Sequence, residues 1–213
     1  MNWLLRNFVL SIGKKIIMAV TGLIFCLFLT IHLLGNLIIY GGMNSFNSYS
    51  DYLHAFGVLV TAAEIGLLAC ALFHIFFAAL LYVENLRARP IGYVMKKGAG
   101  GQTISSRIVP YTGLYILVFV TIHLLRFTFR DRSAQSVFEV VSGTFQDPGY
   151  VVFYIFSVIV VAFHVKHGLW SACQTMGANH PKYTPAIKGI SLLFSLLVGV
   201  SLGSIPLFIL ISQ

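Results

Sequence analysis

Charge is distributed along this 213-residue chain in a way that leaves few possible folds. Lys15 is followed by no charged residue until Asp51, and the sequence from Gly189 to Gln213 carries none. Three further apolar stretches lie between: 57–83 with the single acid Glu64, 108–127 uncharged as far as Leu125, and 148–173 uncharged as far as Val165. About 20 apolar residues suffice for a helix to cross the hydrocarbon layer of a bilayer. The segments 16–40, 57–83, 108–127, 148–173 and 189–211 are therefore five predicted transmembrane spans. Membrane β-strands would be about ten residues long and polar at every second position, unlike these. The expected fold is an all-α integral membrane bundle, one domain over 1–213.

Composition supports this and excludes other classes. The chain is 58% hydrophobic and 9% charged, with a mean hydropathy of +0.88. A soluble domain is about 25% charged, so a soluble enzyme and a disordered chain are both excluded. Cys26, Cys70 and Cys173 are scattered and form no C-x-x-C pair, which argues against a disulfide scaffold, a thiolate zinc site and an iron–sulfur site. The Gly98–Gly101 run reads as a flexible loop and lacks the G-K-[ST] of a phosphate-binding loop. No internal repeat stands out.

The net charge of +8 follows the loops. Ten of the fourteen Lys and Arg residues fall on one side: Arg6, Lys14 and Lys15; Arg87, Arg89, Lys96, Lys97 and Arg107; Lys182 and Lys188. By the positive-inside rule the N-terminus is cytoplasmic and the C-terminus outside, and nucleic acid is not needed to explain the charge. Residues 1–15 place Trp3, Leu4, Leu5, Phe8, Val9 and Ile12 on one helical face, the pattern of a helix lying on membrane lipid. No small-residue cleavage site follows 16–40, so these residues do not read as a cleavable signal peptide.

Four of seven histidines lie inside the spans, one on each of the first four: His32, His74, His123 and His164. Polar side chains in hydrocarbon are costly and mark functional sites. At 1.5 Å per residue, His32 and His123 both lie ~24 Å from the inner ends of their helices, while His74 and His164 lie ~27 and ~26 Å from the outer ends of theirs. The four therefore form two pairs, His32 with His123 near the outside and His74 with His164 near the cytoplasm. Two facing imidazoles suit a haem b iron, whereas zinc or copper would want three or four ligands at one depth. Gly35, Ala71, Ala78 and Gly168 offer space beside the ligands. Arg126 and His167, each three residues beyond a ligand, are candidate propionate partners, and His167 competes with His164 as ligand. His54 and His180 are expected in loops, and Glu64 is read as a buried acid.

The segments Lys14–Gly22, His32-Leu-Leu-Gly35-Asn36, Asn44–Tyr49 and His164-Val-Lys-His167-Gly168-Leu-Trp170 resemble the cytochrome b membrane anchor of succinate dehydrogenases and quinol:fumarate reductases. The resemblance is to the single-polypeptide, two-haem type and covers nearly the whole chain. It implies two haems b and electron transfer with a membrane quinone, often menaquinone, in a bacterial cytoplasmic membrane. It also implies two partners, an FAD-containing flavoprotein and an iron–sulfur subunit, and allows a dimer of heterotrimers. The quinone would lie near the outer haem, with Asp51, His54 and Glu64 as candidates. Some menaquinol-oxidising relatives carry a glutamate where this chain has Ala162, which leaves the reaction direction open. A dihaem subunit of a hydrogenase or formate dehydrogenase remains an alternative, as do a histidine-lined proton transporter and a purely structural anchor.

Overall fold

The computed structural model describes residues 11–88, 104–130 and 135–212. Among them all regular structure is helical: α1 Ser11–Leu37, α2 Gly42–Ala55, α3 Val58–Arg87, α4 Ile104–His123, α5 Val137–Thr144, α6 Pro148–Thr175 and α7 Thr184–Ser212. Five are long and apolar enough to cross a membrane, namely α1, α3, α6, α7 and α4 with the π turn Leu124–Thr128 that extends it. Ser11–Lys15 are the first turns of α1 and continuous with the span. The rest of the expected surface helix, residues 1–10, lies outside the described residues, as does the Gly98–Gly101 loop.

Two short helices that hydropathy does not announce sit at one end of the bundle. α1 passes through the 3-10 turn Ile38–Gly41 into α2 at Gly42, whose φ of 83° suits a residue without a Cβ. Gly57, at φ 44°, turns α2 into α3. α5 opens on a capping box, in which Ser136 Oγ accepts from Glu139 N–H and Glu139 Oε2 accepts from Ser136 N–H at 2.7 Å. The Ser136 backbone and hydroxyl together hold the Glu139 carboxyl below the usual carboxylate range. Asn47 Oδ1 on α2 accepts from Phe138 N–H at 3.1 Å, which ties α2 to α5. His54 occupies the last turn of α2 and not a loop, while His180 does lie in the α6–α7 connection.

The long helices are ordered α3, α1, α6, α4 around the bundle, each packing on the next, with α7 laid against α6 and α1. No comparable packing joins α3 to α4 among the described residues. The bundle is thus closed by α7 on one side and open on the other. Within this ring of four, neighbouring helices run antiparallel: Lys14 at the start of α1 pairs with Glu84 at the end of α3, and Tyr115 of α4 bonds Ser157 of α6 at 2.9 Å while Thr112, earlier in α4, meets His164, later in α6. The end marked by Lys14 and Glu84 is called lower here, and the end carrying α2 and α5 upper.

Burial is uneven along that axis. The main core lies in the upper half, where Leu33, Phe46, Phe119, Phe145, Tyr154 and Ile205 meet. α3 buries only Cys70, and its apolar side chains face outward. Lipid is as apolar as leucine, so membrane helices associate through close packing and interhelical hydrogen bonds. Here Ala162 Cβ stands 3.2 Å from where a Cβ on Gly199 would be, joining α6 to α7. Tyr40 Oη donates to Ser204 Oγ at 2.7 Å, joining the 3-10 turn after α1 to α7.

The Lys14–Glu84 pair joins a buried ammonium to a half-exposed carboxylate. Lys14→Ala should lower stability to detergent unfolding by about 1–3 kcal/mol, between the values for exposed and fully buried pairs. A double-mutant cycle with Glu84→Gln measures it, and strictly additive losses would show that the pair contributes nothing.

Candidate functional site

The four span histidines fall on two levels, and each pair lies on helices diagonally opposed across the bundle: α1 and α4 for His32 and His123, α3 and α6 for His74 and His164. At the upper level the His32 and His123 ring centres stand 5.9 Å apart at 78°. Two imidazoles sharing one metal ion through bonds of ~2 Å place their ring centres roughly 6 Å apart, so this spacing suits a shared iron. Phe28 stacks on His32 at 5.2 Å, and Phe119, Phe127 and Tyr154 surround His123. His123 Nδ1 is buried and has no hydrogen-bond partner among the described residues. The π turn starts immediately after it, a local widening often found at functional sites.

The lower level is built differently. His74 Nδ1 lies 2.9 Å from Thr21 Oγ1 of α1, and His164 Nδ1 lies 3.0 Å from Thr112 Oγ1 of α4. Each ring sits over the glycine that follows its threonine. A Cβ on Gly22 would be 3.7 Å from His74 Cε1, and one on Gly113 would be 3.5 Å from His164 Cε1. An apolar opening of about 370 Å³ lined by Ile17, Thr21, Phe73 and Phe77 lies beside His74.

The threonines expose an internal repeat that the sequence reading misses. Residues 21–34, TGLIFCLFLTIHLL, and 112–125, TGLYILVFVTIHLL, are identical at nine of fourteen positions. His32 and His123 are 91 residues apart, and His74 and His164 are 90 apart, each preceded by phenylalanine. The Thr-Gly segment is therefore repeated in α1 and α4, and a Phe-His step follows at nearly the same distance in α3 and α6. The available signal was the Thr-Gly step eleven residues before each upper histidine.

The other expected site residues are placed as follows. His167 packs edge-on to Trp170 at 6.3 Å, so the threonine of α4 contacts His164 and not its rival. Arg126, in the π turn, lies over the Tyr150 ring at 5.5 Å. Gly35 is not open space, because Tyr49 of α2 fills it, with ring carbons 2.9 Å from where a Cβ would stand. Gly168 does have free space around it. Asp51 and His54 line one opening of about 340 Å³ at the upper end with Asn47, Ser50, Gln135 and Ser136. Glu64 is outside it, exposed on the uncovered face of α3 and not buried as expected. Among the described residues no three His, Cys, Asp or Glu side chains converge as a metal site. The donor set is two imidazoles per level, which fits a metal whose remaining positions are filled by a macrocycle. Comparison with known protein families, curated proteins and solved structures finds no match.

The ring seats are testable without a cofactor. Gly113→Ala should be tolerated, since 3.5 Å is ordinary contact. Gly113→Leu should cost about 1–3 kcal/mol by overpacking the His164 ring, read as a lower detergent-unfolding midpoint.

Proposed function

We propose that this chain is the dihaem cytochrome b anchor of a succinate:quinone oxidoreductase or quinol:fumarate reductase. The observation that carries the reading is the set of four histidines, one on each of four helices and at two levels, with the His32 and His123 rings 5.9 Å apart. In this reading His32 and His123 hold the outer haem, and His74 and His164 hold the haem nearer the cytoplasm. Each haem supplies one-electron transfer, with a potential set by its ligands, burial and hydrogen bonds. The chain's own part is to hold two imidazoles per level and to keep water out with the aromatic cage around His32 and His123. Arg126 and His167 would meet propionates near the two interfaces.

The lower end is taken as cytoplasmic, with the C-terminus of α7 outside, in a bacterial cytoplasmic membrane. Arg87, Arg107, Lys182 and Lys188 then face the cytoplasm as a cationic surface for the iron–sulfur and FAD-containing subunits. The opening at Asp51 and His54 is the better quinone candidate, because Glu64 does not line it. The subunits that co-purify distinguish this complex from a hydrogenase or formate dehydrogenase.

The purified protein should show two b haems per chain in a reduced-minus-oxidised spectrum, and a folded, colourless protein would overturn the proposal. His74→Ala or His164→Ala should remove one haem and leave the other, the same one in both variants. Loss of different haems from the two variants would refute the pairing.

A further inference from the structure

The lower histidines meet threonines whose protons are already committed. Thr21 Oγ1 donates to Ile17 O at 2.8 Å and lies 3.2 Å from Met18 O. Thr112 Oγ1 donates to Val109 O at 3.0 Å. A hydroxyl has one proton and two lone pairs. With that proton given to its own helix, each threonine can only accept from the imidazole 2.9 or 3.0 Å away. The imidazole must then carry its proton on Nδ1. A neutral imidazole has a single N–H, so Nε2 of each ring is left with a free lone pair.

We propose that Thr21 and Thr112 are positioning residues that hold His74 and His164 as Nδ1–H tautomers and so select Nε2 as the iron-binding nitrogen of both. The assignment rests on the dihaem reading for the identity of the metal, but not for the tautomer. Its second support is the repeat. The same Thr-Gly step occurs in both copies, and each glycine gives the ring room to lie against the helix that carries its threonine. The upper pair has no equivalent device on His123, whose Nδ1 is buried and unpartnered among the described residues. The two levels therefore differ in how firmly their ligands are oriented, and only the lower haem should respond to the threonines. A hydrogen bond from Nδ1–H raises the basicity of a ligating imidazole and fixes its ring. Loss of the bond should favour the reduced metal and loosen the group.

The test uses Thr21→Val and Thr112→Val, which keep side-chain shape, with Thr→Ser at each site as the conservative control. In the full-length chain each valine should raise the midpoint potential of the haem that His74→Ala removes and weaken its binding 10–100-fold. Serine should restore both, and the other haem should not change. Unchanged potential and retention of that haem, or equal shifts in both haems, would overturn the proposal. A second measurement is independent of haem and of the variants' folding. In the unsubstituted, haem-free chain, nitrogen NMR of labelled histidines should show His74 and His164 protonated at Nδ1, with signals assigned through His74→Gln and His164→Gln. Protonation at Nε2 would overturn the assignment. Protonation at Nδ1 in a chain that binds no haem would support the threonine role and defeat only the haem reading.

Discussion

A threonine hydroxyl inside a membrane helix has one proton to give, and at Thr21 and Thr112 it is given to the helix itself. That local bond makes each threonine an acceptor aimed at the next helix, which sets the orientation of His74 and His164. It also fastens α1 to α3 and α4 to α6, the pairs that carry the repeated steps. In lipid, apolar burial does not hold helices together, and an interhelical hydrogen bond adds about 1–2 kcal/mol at most. A few such bonds, at Thr21, Thr112, Tyr115 and Tyr40, therefore carry an unusual share of the specificity of this bundle.

The two levels solve the same problem by different means. At the upper level the imidazoles are fixed by crowding: aromatic rings surround them, and the best-packed part of the core lies around and above them. At the lower level packing is loose, α3 buries little, and directional bonds supply the orientation that packing does not. Directional bonds tolerate a nearby opening such as the one beside Phe73 and Phe77. A crowded cage does not.

The spans were legible because charge is expensive in hydrocarbon, and its absence from 16–50 or from 189–213 leaves a helix as the economical solution. The two depths were legible because rise per residue is fixed and each helix carries one histidine. α2 and α5 were not, since a short helix with Asn47, Asp51 or Glu139 on its polar side has no hydropathy signature. The filling of Gly35 by Tyr49 was hidden for the same reason, because it depends on how α2 folds back over α1. Glu64 was misread as buried because the spacing of one helix cannot say which face meets a neighbour. The repeat lay in plain view, but Thr-Gly has no meaning until a second helix brings an imidazole to it.

The repeated segment of α1 and α4 accords with the diagonal placement of the pairs. An antiparallel helical pair repeated around a ring of four helices places equivalent helices opposite each other. The histidines of the first helices then lie across the bundle from each other, as do those of the second helices. The two helical pairs are not equivalent, because α7 covers the α1–α6 seam while α3 and α4 remain apart. Helix order thus sets which histidines lie diagonally, and the fifth helix leaves one side of the bundle closed and the other open.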